Sequence, residues 1–83
     1  MNRAQIREAF KALVIRWGGS LDPHAMFLIL AKDFGFPKGQ RDQIATELVG
    51  LVGDLVARGK ADAETTGNAV ADWILERTGA LYD

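Results

Sequence analysis

The stretch DPHAMFLILAKDFGFPKG, residues 22–39, decides the fold class. Asp22 is a good helix N-cap, and Pro23 falls at the first helical position, where its missing N–H is no loss. Met26, Phe27, Leu28, Ile29 and Leu30 follow without a polar break. Five consecutive apolar residues cover every side of a helix, so this element is buried all round or turns part of itself to a partner. Gly35 ends it as a C′ residue. Phe36-Pro37-Lys38-Gly39 is then a short turn, because Pro37 pushes Phe36 out of the helical region. The spacing predicts a helix over 23–34.

On the N-terminal side, Ile6, Phe10, Leu13 and Trp17 recur at helical spacing and predict a helix over about 2–17, stopped by Gly18-Gly19. Arg3, Arg7 and Lys11 follow one another every fourth residue and form a basic stripe beside that apolar face. Val14 lies near the stripe, and Ile15 points elsewhere.

On the C-terminal side, a helix over about 40–58 carries Ile44, Leu48, Leu51, Val52 and Leu55 inward and ends at Gly59. Its opposite side holds Thr46, Gly50, Gly53 and Ala57. Such small residues let another helix approach closely, which offsets the helix-propensity cost of the glycines. A fourth helix spans about 62–78, with Asp62 as N-cap, Val70, Trp73 and Ile74 inward, and Gly79 as its stop. Gly67-Asn68 is a weak point at which it could start instead. Leu75 falls off the inward stripe, and the tail from Ala80 to Asp83 is expected to fold back. The expectation is an all-α, compact four-helix domain, a single helical domain over residues 1–83.

No segment alternates with period two for long, and no repeat or linker divides the chain. Its 83 residues contain no cysteine, so neither disulfide nor thiolate chemistry is available. The longest near-apolar run, Ala25 to Ala31, is too short to span a bilayer, and no secretory signal opens the chain. A cytoplasmic protein without a membrane partner is expected.

Ten basic and eleven acidic side chains leave a net charge of -1, unlike that of a non-specific nucleic-acid coat. The charges are polarised. Residues 1–41 hold seven basic against three acidic side chains, and residues 42–83 hold three against eight. The two halves either fold against each other and cancel, or leave a basic face for an acidic partner or phosphate.

Chemistry finds little to work with. His24 is the only histidine, so zinc has no ligand set. Ser20, Asp22 and His24 lie within one turn, too close together to aim at a common substrate. Ser20 and Asp22 fit turn and helix-start roles better. Glu47 and Asp54 share a polar face and read as solvated. No glycine-rich phosphate loop follows a strand. The chain therefore reads as a non-enzyme with no cofactor, no metal and no small-molecule substrate.

Helices two and three, joined by a short glycine-containing turn, resemble a helix-turn-helix across Met26 to Leu48. The matching positions are Leu30, Ala31, Phe34, Gly35, Phe36 and Ile44. The resemblance implies that helix three is a recognition helix, with Gln40, Arg41 and Gln43 at base edges and Lys38 on a phosphate. The sequence departs from that motif. Arg41 stands where the motif buries an aliphatic side chain, and Asp42, Glu47 and Asp54 follow on a helix that would approach phosphate.

Protein–protein interaction accounts for more of the sequence. Met26, Leu28, Ile29, Thr46, Gly50, Gly53, Ala57 and Leu75 form the candidate interface, with Val14 and Ile15 as further apolar residues outside the inward stripes. Trp17 and Trp73 fall on the core faces of their helices. The expected function is a homodimer, or an adaptor or inhibitor docking on a larger assembly. Small cysteine-free helical chains are common among bacterial and phage accessory regulators. A phage inhibitor such as an anti-CRISPR protein fits these features, although no motif selects it. DNA binding through helices two and three is the alternative.

Overall fold

A computed structural model describes residues 2–17 and 22–82, with side chains through Arg77. The described residues form four α-helices: α1 (Arg3–Trp17), α2 (Pro23–Asp33), α3 (Lys38–Ala57) and α4 (Ala63–Tyr82). The architecture is the all-α four-helix domain that the spacing predicts. Gly18-Gly19, Ser20 and Asp83 lie outside the described residues.

Local chemistry explains most of the boundaries. Asp22 Oδ1 accepts the Ala25 N–H at 2.8 Å, and Pro23 takes the first helical position. At the other end of α2, Gly35 adopts φ 79°, the Gly35 N–H donates to Lys32 O, and the Phe36 N–H donates to Ala31 O. That pair of bonds is a Schellman closure, and it delivers Phe36 straight into the core. Gly59, at φ 69°, ends α3 in the same way, with bonds from Gly59 N–H to Val56 O and from Lys60 N–H to Leu55 O.

Two boundaries differ from expectation. α3 starts two residues early, at Lys38, because Pro37 O already accepts the Gln40 N–H and Pro37 itself serves as the N-cap. α4 starts as expected from Asp62, whose Oδ1 accepts the Thr65 N–H at 2.8 Å. That hydrogen bond holds the Asp62 carboxyl below the usual aspartate range. A lowered folded-state value means that its contribution is present above the ordinary aspartate pKa and is lost as pH falls through the lowered one. α4 then runs through Gly67 and past Gly79 to Tyr82. Gly79 is therefore not a stop, and residues 80–82 continue the helix rather than folding back.

The helices pair as α1 with α4 and α2 with α3, with lighter contacts between the pairs. Ile6 and Phe10 of α1, Phe27, Leu30 and Ala31 of α2, Phe34 and Phe36 of the turn, Ile44, Ala45 and Leu48 of α3, and Val70, Ala71 and Ile74 of α4 make one buried cluster. Phe10 and Phe27 stack across it with ring centroids 5.8 Å apart. Met26, Leu28 and Leu75 pack on its margin. Leu75, read as lying off the core face, thus belongs to the core's edge. Trp73 packs there too, half-buried beneath the Arg77 guanidinium at 4.3 Å. Trp17, expected inward, is also half-buried, with the Arg16 guanidinium 5.1 Å from its ring.

Unequal helix lengths set up the surface. α2 has 11 residues and α3 has 20. At about 1.5 Å per residue, α2 reaches only about half as far as its partner. α3 is buried at Ile44, Ala45 and Leu48 but only half-buried at Leu51, Val52 and Leu55, and Val56 is 62% exposed. The overhanging half of α3 is where apolar surface is left uncovered.

Candidate functional site

The basic stripe is an internal device. Arg3 grips Asp72 with two bonds, Nε to Oδ1 at 2.7 Å and a terminal guanidinium nitrogen to Oδ2 at 3.0 Å. The Asp72 carboxylate raises the Arg3 pKa further. Arg7 reaches Asn68 Oδ1 at 3.4 Å and Glu64 Oε1 at 3.2 Å, and Lys11 Nζ lies 3.4 Å from Glu64 Oε2. Residues 3, 7 and 11 therefore meet 72, 68 and 64, an antiparallel ladder with a four-residue step on both helices. Exposed pairs like these add little stability, but they fix which faces of α1 and α4 meet. Part of the polarised charge is neutralised within the fold, where Arg3, Arg7 and Lys11 of α1 meet Asp72 and Glu64 of α4.

The candidate interface divides. Thr46, Gly50, Gly53 and Ala57 lie on the exposed side of α3. The Thr46 hydroxyl donates back to Asp42 O at 2.9 Å. A Cβ added at Gly50 or Gly53 would meet nothing within 4 Å. Among the described residues, no helix uses the stripe for close approach. Gly50→Ala and Gly53→Ala should each raise stability by up to about 1 kcal/mol, the helix-propensity difference, in chemical denaturation. On α2, Met26, Leu28 and Ile29 are each half-buried. The five-residue apolar run is thus mostly absorbed by packing.

The candidate DNA contacts are placed as follows. Lys38, Gln40 and Gln43 are exposed on the first turns of α3. Arg41 is half-buried, and its Nε donates to Phe36 O at 2.8 Å, so its guanidinium closes the turn between α2 and α3. The neighbouring Asp42 carboxylate takes His24 Nε2 at 3.2 Å. Glu47 lies 4.0 Å from Arg77.

An uncovered apolar surface among the described residues lies elsewhere, where the C-terminal halves of α1 and α3 meet the start of α4. Phe10, Lys11, Val14 and Ile15 of α1, Val52 and Val56 of α3, Ala61 of the connection, and Ala63 and Thr66 of α4 line a groove of about 350 Å³. Val14 is 39% exposed and Ile15 is 84% exposed. Val14 and Ile15 are legible in the sequence as apolar residues off the inward stripe. Val56 is not, because its exposure depends on α2 being too short to reach it. Thr66 carries no sequence signal at all. It is 6% exposed, and its hydroxyl has no hydrogen-bond partner among the described residues.

Among the described residues, no group of three or more His, Cys, Asp or Glu is placed to hold a metal ion, and no helix is long and apolar enough to cross a membrane. No family model matches the chain, and no significant similarity connects it to a curated protein or a solved structure.

Proposed function

We propose that the protein acts by docking on another protein, as an adaptor or inhibitor without catalytic chemistry, through the groove between α1, α3 and α4. The observation that carries this is the exposure of Val14, Ile15 and Val56 around one apolar groove, while the other large aliphatics among the described residues are covered at least in part. Contiguous exposed aliphatics cost solubility and mark binding faces more often than isolated ones do. The α3 stripe of Thr46, Gly50, Gly53 and Ala57 is exposed on the same helix but lies outside the groove lining.

DNA binding by α2 and α3 has less support. The best base-reading side chain of the implied recognition helix, Arg41, is bonded to Phe36 O. Asp42 and Glu47 follow it on the helix. Phosphate-dominated affinity needs a surplus of cations, and this helix does not present one.

The test is affinity capture from the cells that produce the protein, comparing the wild type with Ile15→Asp and Val56→Asp. Both positions are exposed, so neither aspartate is buried and the fold should survive, as circular dichroism would check. A partner held by the wild type should be lost from both variants. Equal recovery by all three proteins, or capture of duplex DNA that Arg41→Ala abolishes, contradicts the proposal.

A further inference from the structure

We infer that the corner between α2 and α3 binds an acidic segment of a second protein, one that carries an aliphatic side chain between its carboxylates. Leu28, Ile29 and Lys32 of α2 and Lys38, Arg41 and Asp42 of α3 line a shallow hollow of about 380 Å³ there. It shares no lining residue with the groove, and the inference does not rest on the groove. At about 1.5 Å per residue, Lys38 and Val52 stand about 20 Å apart along α3, so the two faces lie toward opposite ends of that helix.

Charge selects the occupant. Residues 1–41 hold seven basic side chains, of which Arg3, Arg7 and Lys11 meet α4 and Arg16 lies over Trp17. The other three are Lys32, Lys38 and Arg41, and the turn through Gly35 gathers all of them around this hollow. Lys32 and Lys38 carry no ion pair among the described residues. Arg41 is half-buried, and the bond from its Nε to Phe36 O at 2.8 Å fixes the guanidinium in place. Its terminal nitrogens have no hydrogen bond among the described residues, which leaves them for a carboxylate. Asp42, the carboxylate of the lining, is already met by His24 at 3.2 Å. Asp33 follows Lys32 in the chain but does not belong to the lining. Cations gathered in this way repel one another, and an anionic ligand relieves that repulsion.

Leu28 and Ile29, each half-buried, decide which anion fits. Duplex DNA offers phosphate oxygens but no aliphatic group to cover them, and Asp42 and Glu47 stand on the same helix. An anionic membrane gains about 1 kcal/mol per nearby Lys or Arg, and two half-buried aliphatics add little insertion to that. A leucine or isoleucine flanked by glutamates supplies both parts. Its carboxylates meet the cations, and its side chain covers the apolar floor.

The test is a titration of the full chain with the acetylated and amidated peptide Glu-Glu-Leu-Glu-Ile-Glu, followed by NMR of the backbone amides. Shifts should saturate at residues 28–32 and 38–42 and leave Val14, Ile15 and Val56 unmoved. Peptides with glutamine for every glutamate, or with alanine for the leucine and isoleucine, should each bind at least about threefold more weakly. Raising NaCl from about 20 mM to about 300 mM should weaken the parent peptide by a similar factor. The double variant Lys32→Glu with Lys38→Glu, both at exposed positions, should fold and lose at least about tenfold in affinity. Ile15→Asp and Val56→Asp should bind the peptide as the wild type does. The inference is overturned by absent or unsaturable shifts, by indifference to salt, by equal affinity for the glutamine or alanine peptide, or by a double variant that binds as the wild type does. Tighter binding at these same residues by duplex DNA, or by phosphatidylcholine vesicles containing one-quarter phosphatidylserine, overturns it too. If the peptide fails while Ile15→Asp and Val56→Asp still release the captured partner, this corner is not a binding face and docking through the groove stands. If the peptide binds as expected while those variants keep the partner, the groove falls and this corner stands.

Discussion

Phe27→Ala should destabilise the protein by about 3–5 kcal/mol, the usual range for removing a buried phenylalanine. Phe27 is fully buried, stacks on Phe10 of α1, and sits on the helix that covers α3. Its ring therefore joins the two helix pairs, which otherwise touch lightly. A domain of 83 residues has a total stability of about 4–12 kcal/mol at about 0.05–0.15 kcal/mol per residue. The substitution should thus remove much of it and lower the thermal midpoint by at least about 12 °C. Phe27→Leu keeps most of the volume and should cost clearly less. Thermal melts of the two variants beside the wild type decide the matter. Equal midpoints for Phe27→Ala and the wild type would mean that the core is not centred on this ring.

Gly67→Leu should be the second most damaging change, at about 1–3 kcal/mol or more, as an overpacked site. A Cβ at Gly67 would lie 2.9 Å from Arg7 Cγ and 3.8 Å from Lys11 Cγ. The Arg7 stem is therefore laid directly over this glycine. A leucine there forces α1 away from α4, and the ladder of Arg3 with Asp72 and Lys11 with Glu64 has to shift with it. The same step loosens Ile6 and Phe10 against Val70, Ala71 and Ile74. Gly67→Ala is a milder version. Its gain of about 1 kcal/mol in helix propensity opposes the displacement of Arg7, so a net change near zero is expected. Denaturant midpoints for the two variants, set beside Gly50→Ala and Gly53→Ala, separate a glycine needed for contact from glycines facing open space. Destabilisation by Gly50→Ala and indifference to Gly67→Leu would reverse the assignment.

That contrast shows what the sequence could and could not convey. Caps and stops are local, so Asp22, Pro23, Gly35, Gly59 and Asp62 marked helix ends correctly. Gly79 did not, because a glycine in the last turns costs only about 1 kcal/mol and the helix continues past it. The small-residue stripe on α3 and Gly67 on α4 both offer room for a neighbour, yet a Cβ at Gly67 would meet one and a Cβ at Gly50 or Gly53 would not. Which helix lies over which glycine is a tertiary fact. The basic stripe is legible as a stripe, but its counterpart of Glu64, Asn68 and Asp72 becomes recognisable only once α1 is known to run antiparallel to α4. The apolar run of helix two leaves open in the sequence whether it is buried all round or turns partly to a partner. The turn through Gly35 brings Phe34 and Phe36 into the core alongside it, and its margins pack at Met26 and Leu28. The uncovered surface moved to the far end of α3, because α2 ends too soon to cover it.

The docking face is tested most directly by hydrogen–deuterium exchange of the protein alone and with its captured partner bound. Amide protection should rise in residues 10–17 of α1 and 52–66 of the α3–α4 corner, with residues 38–43 unchanged. Protection confined to residues 38–43 and the turn before them, with the corner exchanging as in the free protein, would contradict it.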